Sequence, residues 1–267
     1  SKGDAFMAEW QKAGKAGDEN AQRQLMESFG LNEIFADIQT INHLLQRVHK
    51  AIERERRWSD DAAHELRSPL TALKVQTEVV QLSDDDPQTR EKALVQLHAG
   101  IERATRLVDQ LLTLSRLDSL DNLQDVAEIS LEELLQSAVM DIYHPAQQAH
   151  IDVRLQINAH NIMRTGQPLL LSLMVRNLLD NAIRYSPQGS IVEVTLNARN
   201  FSVKDNGPGV APEVLTHIGE RFYRPPGQSV TGSGLGLSIV RRIATLHGMS
   251  ASFGNAPEGG FEAKVSW

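Results

Sequence analysis

The sequence Gly232-Ser-Gly-Leu-Gly-Leu-Ser-Ile-Val240 places a glycine loop directly before an apolar run that is typical of a helix. Free backbone N–H groups in such a loop, together with the positive end of the helix, can receive phosphate groups. The spacing is Gly-x-Gly-x-Gly, which differs from the Gly-x-Gly-x-x-Gly of a dinucleotide fold, and the sequence contains no Gly-x-x-x-x-Gly-Lys. The loop therefore indicates a phosphate site that fits neither common nucleotide-binding motif, and taken alone it is weak evidence.

A second polar group lies upstream, in a predicted helix over 168–185. Asn177, Asn181 and Arg184 are spaced at i, i+4 and i+7, so they share one helical face. Carboxamide oxygens suit a hard Mg²⁺ ion, and the guanidinium of Arg184 suits phosphate. Tyr185 stands next to this face. Taken alone, a polar surface stripe is the more frequent explanation of such a pattern.

A third group, Asp205-Asn-Gly-Pro-Gly209, follows the alternating apolar residues Phe201 and Val203 of a predicted strand. A carboxylate at a strand end can accept a hydrogen bond from an exocyclic amine such as that of adenine. Gly207 and Gly209 would let the backbone approach the ring. Taken alone, an ordinary turn is the favoured explanation of these residues.

These groups belong to a region whose apolar residues change period along the chain. Alternation with a period of two predicts half-buried strands, and longer apolar stretches between them predict helices. The strands are expected at 151–157, 192–196 and 261–267, and the helices at about 131–143, 168–185 and 234–247. The pattern predicts one α/β domain over 121–267, with helices on one face of a mixed sheet.

The preceding region has the heptad period of packed helices. The first series, spaced 4, 3, 4, 3 and 4, is Ile34, Ile38, Ile41, Leu45, Val48 and Ile52. The second, spaced 3, 4, 3, 4 and 3, is Leu94, Leu97, Ile101, Ala104, Val108 and Leu111. The cluster 83–87, Ser-Asp-Asp-Asp-Pro, separates the helices and predicts a hairpin. Two helices bury little surface, so a homodimeric four-helix bundle is expected, although a coiled-coil spacer has the same periodicity.

Composition limits the remaining possibilities. The 267 residues carry a net charge of −7, with 41% hydrophobic and 23% charged residues, which excludes a largely disordered chain. The basic run Arg54, Arg56 and Arg57 is too short to indicate nucleic-acid binding. The absence of cysteine excludes disulfides, thiolate metal sites and cysteine nucleophiles. No stretch of ~18 apolar residues predicts a membrane span. A start at Ser1 without Met suggests a piece of a longer protein.

Residues 1–33 carry the weakest pattern. Segment 4–29 contains helix formers interrupted by Gly14 and Gly17, each unfavourable in a helix interior by ~1 kcal/mol. We expect broken helix there, and we assign it no function.

In their order along the chain, the three polar groups resemble the N, G1 and G2 boxes of the Bergerat ATP-binding fold. That fold is shared by histidine kinases, heat-shock 90 chaperones, type II topoisomerases and mismatch-repair ATPases. Arg221-Phe-Tyr-Arg224 resembles the F box of the kinases, which the other branches lack. The resemblance implies a mobile lid over ATP from Val210 to Ser233, a segment whose prolines and glycines suit a long loop. Those residues are Pro225, Pro226, Gly227 and Gly232.

The sequence 59–70, Ser-Asp-Asp-Ala-Ala-His-Glu-Leu-Arg-Ser-Pro-Leu, resembles the H box of two-component sensor histidine kinases. At ~100° per residue, His64 points away from Leu66 and Leu73, so it is expected on the outer face of the bundle. Pro69 cannot donate to the carbonyl of Glu65, which predicts a bend below the histidine. Within this family, residues 61–78 and 219–228 are similar to sensor kinases of enteric bacteria.

The resemblance, which covers about 59–267, implies an α+β fold with a long-helix hairpin that forms a dimeric four-helix bundle, followed by a Bergerat α/β sandwich of the GHKL type. It implies an ATP-dependent protein histidine kinase that passes the phosphoryl group to a response regulator, with ATP and Mg²⁺ as cofactors. The expected parts are a HAMP-like helix at 34–57, a dimerisation and phosphotransfer domain at 58–120 and the ATP-binding domain. The homodimer would form through helices 34–117, no nucleic acid would bind, and the chain would be the cytoplasmic portion of a bacterial inner-membrane protein.

The resemblance also implies the site residues. His64 would be the phosphoacceptor and Glu65 the base, with Arg67 and Ser68 beside them, and Asn181 would hold Mg²⁺. The nucleotide-binding residues would be Asn177, Asn181, Arg184, Tyr185, Asp205, Gly207, Gly209, Arg221, Phe222, Arg224, Gly232, Ser233, Gly234, Leu235 and Gly236.

Ser68 adds an expectation of weak phosphatase activity toward the phosphorylated regulator. Related kinases usually place Thr or Asn there, one turn after the histidine, where the side chain can orient water. A serine hydroxyl is held more loosely, and it can instead bond back to the carbonyl of His64.

Two other function classes stay open. A nucleotide-binding dimer scaffold would need the same helices and ATP site but would acquire no acid-labile label from γ-labelled ATP. A chaperone or topoisomerase-type ATPase would need a following transducer domain, whereas this sequence stops at Trp267, after the last predicted strand.

Overall fold

The computed structural model describes residues 2–28, 32–83, 85–120, 122–225 and 232–267. They form two compact units, Ser1–Asp61 and Ala62–Trp267. Among the residues of the sequence motifs, the structure does not describe Asp84, Asp121, Pro226 and Gly227. For Ile34 and Arg54 it describes the backbone and not the side chain.

The first unit begins with helices α1 (Lys2–Ala16) and α2 (Glu19–Ser28). Gly17 ends α1 with a φ of +67°, a conformation that glycine adopts without steric penalty. Asp18 then caps α2, since its carboxylate accepts from the backbone N–H of Ala21 at 2.9 Å. The predicted break is confirmed at Gly17 and wrong at Gly14, which stays inside α1.

Two long helices follow, α3 (Asn32–Leu82) and α4 (Pro87–Ser119). Helix α3 runs without interruption through Pro69 and through the predicted boundary at 57–58. Asp86 caps α4, because its Oδ1 accepts from the backbone N–H groups of Gln88 and Thr89 at 3.1 and 3.2 Å. The second unit contains a close approach of the helices, where a Cβ on Gly100 would lie 2.7 Å from Leu73 Cδ2. The predicted hairpin is therefore confirmed.

The apolar residues of α4 divide into two sets. In the single chain, most of the predicted heptad series stays accessible, with Ile101 at 48% exposure. A second stripe is buried and contacts helix α8 (Gly236–Leu246) of the following domain. It consists of Leu107, Leu111, Leu114 and Leu117. Only Leu111 belongs to both sets, so the C-terminal half of α4 packs on a face that the heptad series did not predict.

The α/β domain contains a five-stranded mixed sheet in the order β2-β4-β5-β7-β6. The pair β2-β4 is parallel, and the other three pairs are antiparallel. A separate antiparallel pair joins β1 and β3. The elements are β1 (Ala127–Ser130), α5 (Leu131–Gln148), β2 (Asp152–Ile157), β3 (Met163–Gly166), α6 (Pro168–Tyr185), β4 (Ile191–Leu196), β5 (Asn200–Asp205), α7 (Pro212–Leu215), α8 (Gly236–Leu246), β6 (Ser250–Asn255) and β7 (Phe261–Ser266).

The core lies between this sheet and helices α5, α6 and α8, each of which contacts a strand of the sheet. Alternating apolar residues on the strands form the sheet side of this core. In strand β4, for example, Val192, Val194 and Leu196 all point inward and are fully buried. The predicted mixed sheet with its helices is confirmed, although α5 extends five residues beyond its predicted end at 143. In the portion that the structure describes, no helix is both long enough and apolar enough to cross a membrane.

Candidate functional site

A cavity of about 370 Å³ opens in the second unit between α6, the end of β5, the start of α8 and helix α4. The structure brings ten of the sequence-predicted residues together in its wall. They are Asn177, Asn181, Arg184, Tyr185, Asp205, Gly209, Gly232, Ser233, Gly234 and Gly236. The three polar groups, separate in the sequence, therefore form one concave site.

Helix α6 supplies the polar stripe as its 3.6-residue period predicts. Asn177 is fixed, since its Nδ2 donates to the carbonyl of Leu173 at 2.8 Å. Asn181 is half-buried in the cavity wall, and among the described residues its carboxamide has no hydrogen-bond partner. Its oxygen is therefore available to a ligand.

Asp205 ends β5 and is only 6% exposed. Its Oδ1 accepts two backbone hydrogen bonds, from Gly207 N at 2.8 Å and Phe261 N at 3.1 Å. These bonds fix the carboxylate and leave Oδ2 for a ligand in the cavity. Gly207 does not line the cavity and instead closes the turn under Asp205.

The glycine loop needs its glycines because neighbouring groups approach closely. A Cβ on Gly232 would lie 2.8 Å from Tyr185 Oη. Gly234 has a φ of +70°, and its Cβ would lie 2.6 Å from the backbone carbonyl carbon of Phe222. Leu235 is fully buried and anchors the loop in the core rather than lining the cavity. No side chain caps the start of α8.

The residues of the expected F box divide between two positions. Tyr223 lines the cavity, whereas Arg221, Phe222 and Arg224 do not. Arg221 instead pairs with Asp118 near the end of α4, with an N–O distance of 2.7 Å. The side chains of these three residues lie outside the cavity wall, and their contact with a nucleotide stays a prediction.

The end of α4 is also held by helix α8. Arg242 of α8 donates to the carbonyl of Leu117 at 3.0 Å and to that of Leu120 at 3.1 Å. The last carbonyls of a helix lack the usual N–H partner four residues further on, so Arg242 supplements the bond that Leu120 N donates to Leu117 O at 3.3 Å. Together with the Asp118–Arg221 ion pair, this arrangement attaches α4 to the α/β domain.

Helix α4 supplies cavity residues that the sequence analysis missed. Arg106, Asp109, Gln110 and Thr113 line the cavity, and Ser233 Oγ donates to Gln110 Oε1 at 2.6 Å. These four residues recur at intervals of three and four and form a polar stripe beside the buried leucines. This stripe is the only signal in the sequence that could have identified them. Further lining residues are Leu173, Arg176, Asp180, Pro208, Val210, Ile218, Gly219, Pro225, Leu237, Ile239 and Phe261.

The cavity wall carries three arginines, Arg106, Arg176 and Arg184, and three aspartates, Asp109, Asp180 and Asp205. Burial raises the pKa of the Asp180 carboxyl. Three guanidinium groups oppose that shift, those of Arg176, Arg184 and Arg106. About half of the Asp180 side chain is exposed (52%), so water moderates all of these effects. The three arginines all lie near Asp180, so this part of the wall favours an anionic ligand such as a phosphate chain.

His64 lies on α3 and is exposed, as predicted from the helical period. Glu65 is half-buried, while Arg67 and Ser68 are exposed, and none of the four lines the cavity. Over residues 62–83, the hydroxyls of Thr71 and Thr77 bond back to the helix backbone, whereas that of Ser68 does not. In that same stretch, no hydrogen bond joins the His64 ring to Glu65, because adjacent helical residues face different directions.

Two family models match the chain. The His Kinase A (phospho-acceptor) domain matches residues 54–120, which include His64. The Histidine kinase-, DNA gyrase B-, and HSP90-like ATPase matches residues 166–267, which include the stripe of α6, Asp205 and the glycine loop.

Individual relatives agree with both models. Sensor protein QseC of Salmonella typhimurium is 80% identical over 236 residues, which cover 88% of this chain and 53% of that protein. Sensor protein QseC of Escherichia coli strain K12 is 73% identical over 250 residues, covering 94% of this chain and 56% of that protein. The chain spans about half the length of these curated relatives.

A solved structure shares the fold. Histidine kinase ThkA, in complex with response regulator protein TrrA, superposes with a TM-score of 0.63 at 18% identity, covering 98% of this chain and 66% of that chain. The predicted order of a helical hairpin and a Bergerat-type α/β domain is thereby confirmed. From its domain matches and its relatives, we conclude that the chain belongs to the sensor histidine kinases.

Proposed function

We propose that this chain binds ATP in the cavity, transfers the γ-phosphoryl group to His64 and passes it to an aspartate of a response regulator. The observation that carries the proposal is the convergence of Asn181, Asp205 and the glycine loop on one cavity, in a chain with an exposed histidine on the hairpin. The reaction requires mainly positioning and charge neutralisation, which such a site can supply.

The adenine end of ATP would bind at Asp205. Its Oδ1 is occupied by backbone N–H groups, so Oδ2 can accept a hydrogen bond from the exocyclic amine. The phosphates would lie toward Gly232–Gly236 and the start of α8, where N–H groups and the helix dipole favour anions. Arg184 would contribute positive charge at that end.

A magnesium ion fits the residues present. Mg²⁺ usually has one or two protein ligands, with phosphate oxygens and water completing its shell. The carboxamide of Asn181, which no described residue occupies, suits such a ligand. When bound, the ion would neutralise charge on the phosphate oxygens. The described residues contain no group of three or more acidic or histidine side chains placed to hold a metal by themselves.

The proposed reaction at His64 transfers the phosphoryl group in two steps. The Nε2 lone pair attacks the γ-phosphorus, an N–P bond forms, and the P–O bond to the β-phosphate breaks to release ADP. Glu65 would take the Nδ1 proton in this step. A regulator carboxylate then attacks the phosphorus, the N–P bond breaks, and the proton returns from Glu65 to Nδ1, so that a neutral histidine leaves.

A test with two labels separates this kinase from a nucleotide-binding scaffold. With γ-labelled ATP, the kinase should acquire acid-labile, alkali-stable label, whereas α-labelled ATP should leave no covalent label. A scaffold would acquire label from neither nucleotide, although it would bind both.

We further propose a homodimer, formed through the accessible apolar series on α3 and α4. Leu45 and Ile101 are 60% and 48% exposed in the single chain, which is unfavourable unless a partner covers them. A receiver domain is the expected second partner, by analogy with ThkA, whose structure contains a response regulator. The relatives are named sensor proteins, which supports a cytoplasmic part of an inner-membrane receptor.

Ser68 favours a second activity, weak dephosphorylation of the regulator. Its exposed hydroxyl lies one turn from His64 and is not bonded to the helix backbone, so it can orient water. The decay of purified phospho-regulator should slow with Ser68→Ala and accelerate with Ser68→Thr at an unchanged autokinase rate. Equal decay with all three proteins would remove Ser68 from the mechanism.

A further inference from the structure

Ser233 makes two hydrogen bonds, one within the glycine loop and one to helix α4. Its hydroxyl donates to Gln110 Oε1 at 2.6 Å, and its oxygen accepts from the backbone N–H of Leu235 at 3.2 Å. Ser233 and Gln110 are both partly buried, and both line the cavity. The serine side chain therefore connects the loop to helix α4.

The bond from Leu235 to Ser233 occupies one of the backbone N–H groups that are proposed to receive phosphate. Leu235 is the N-cap residue of α8, and its own side chain provides no cap. The N–H groups at such a terminus are the donors that an anion would use. In this arrangement the Leu235 N–H already donates to the Ser233 oxygen, so it cannot at the same time donate to a phosphate oxygen.

Gln110 cannot easily follow the loop, because the C-terminal half of α4 is held in place. Leu107 and Leu114, on either side of Gln110 in sequence, are buried against the α/β domain. Arg242 binds the carbonyl of Leu117 further along the helix. Gln110 therefore offers a fixed acceptor, and the short bond to it holds the Ser233 side chain toward α4.

We propose that Gln110 is a positioning residue that restrains ATP binding by holding Ser233 over the Leu235 amide. The nucleotide must break the Gln110–Ser233 bond before its phosphates can use that amide. Helix α4 thereby controls the affinity of the site through one side-chain contact. This inference rests on the proposed binding of ATP in the cavity.

The test compares ATP dissociation constants, measured by calorimetry, for wild type, Gln110→Met, Ser233→Ala and the double variant. Methionine keeps the side-chain volume but removes the acceptor. Gln110→Met should bind ATP about two- to tenfold more tightly, the range expected when one neutral hydrogen bond no longer competes. Ser233→Ala should give a similar gain, and the double variant no further gain, because both changes remove the same contact.

Gln136→Met on the exposed face of α5 is the matched control and should bind ATP like wild type. Unchanged or weaker binding by Gln110→Met, or additive effects of the two substitutions, would overturn the inference while ATP binding stands. A wild-type chain that binds no ATP would overturn the proposed function itself, and the inference with it.

Discussion

Asp205 combines deep burial with a carboxylate whose two oxygens have different environments. Oδ1 is held by two backbone N–H groups, and Oδ2 is left to a ligand. An asparagine can keep the bonds at Oδ1 because it retains one oxygen. Its NH₂ group, however, would face the amine of the ligand, so two donors would meet.

Asp205→Asn should therefore weaken ATP binding by about 10- to 100-fold, since hydrogen bonds to charged groups contribute about 1.5–3 kcal/mol. Calorimetric titration with ATP gives the affinity. Asp141→Asn, at an exposed position on α5, is the control and should bind like wild type. Equal affinity of the two variants would show that Asp205 does not contact the nucleotide.

His247 is a second buried polar residue, at the end of α8. Its Nε2 accepts from Gln167 N at 3.0 Å, and its Nδ1 lies 2.8 Å from the carbonyl of Ile243. This pattern requires the neutral ring with the proton on Nδ1. Burial lowers the pKa of His247 from its ordinary 6.5, while the bond to Ile243 opposes the shift.

Because the folded state prefers neutral His247, its contribution to stability is complete above the ordinary pKa of 6.5. It is lost as the pH falls through the lowered folded-state pKa. Urea denaturation at about pH 7.5 and about pH 5.5 should show less loss of unfolding free energy in His247→Gln than in wild type. The exposed His98→Gln is the control, and an identical loss in all three proteins would refute this role.

Many of the residues that line the cavity were predictable as a group, because Asn181, Asp205 and Gly234 lie in short motifs whose chemistry is local. Gln110 was not, since it is 123 residues from its partner Ser233 and only tertiary packing joins them. The motif of Arg221 predicts nucleotide contact, whereas its ion pair with Asp118 near the end of α4 was not predictable, because it joins residues far apart in the sequence.

At the scale of elements, the loop before α8 depends on backbone conformation. Gly234 has a positive φ and touches the backbone of Phe222, whereas at Gly236 a Cβ would meet only Asn177 Oδ1 at 3.3 Å. Gly234→Ala should lower the unfolding free energy by roughly 1–2 kcal/mol, the cost of left-handed backbone, and weaken ATP binding at least tenfold. Gly236→Ala should change the unfolding free energy by less than about 0.5 kcal/mol, since alanine favours helix. Denaturant titration compares them, and equal losses would contradict the conformational argument.

Helix α4 shows what periodicity can and cannot predict. A heptad series indicates that a helix packs, and it correctly predicted α3 and α4 as a hairpin. It does not reveal that Leu107, Leu114 and Leu117 form another stripe, because one helix can pack on two partners. Strands β1 and β3, four residues each, were missed since alternation is not recognisable over so short a stretch.

At the scale of the whole molecule, the accessible heptad residues predict the assembly. Ile101→Asp should dissociate the dimer, because a charge would be buried in the bundle, while the single chain tolerates it at a half-exposed position. Val95→Asp is the matched control, since Val95 is exposed but lies off the heptad series. Sedimentation velocity should give monomers for the first variant and dimers for the second. Two dimeric variants would contradict assembly through this face.

The proposed phosphoacceptor and the proposed nucleotide site lie in different parts of the molecule. His64 lies on the helical hairpin, whereas Asn181, Asp205 and the glycine loop belong to the α/β domain. Loss of the acceptor should therefore leave the nucleotide contacts intact. Loss of a nucleotide contact should reduce labelling by weakening ATP binding.

The most direct test is covalent labelling of His64→Gln with γ-labelled ATP, together with its ATP affinity. We expect no acid-labile label on the variant. Its ATP dissociation constant should lie within about threefold of the wild-type value, since no contact in the cavity is lost. Acid-labile label on His64→Gln at the wild-type level would contradict the assignment of His64 as the phosphoacceptor.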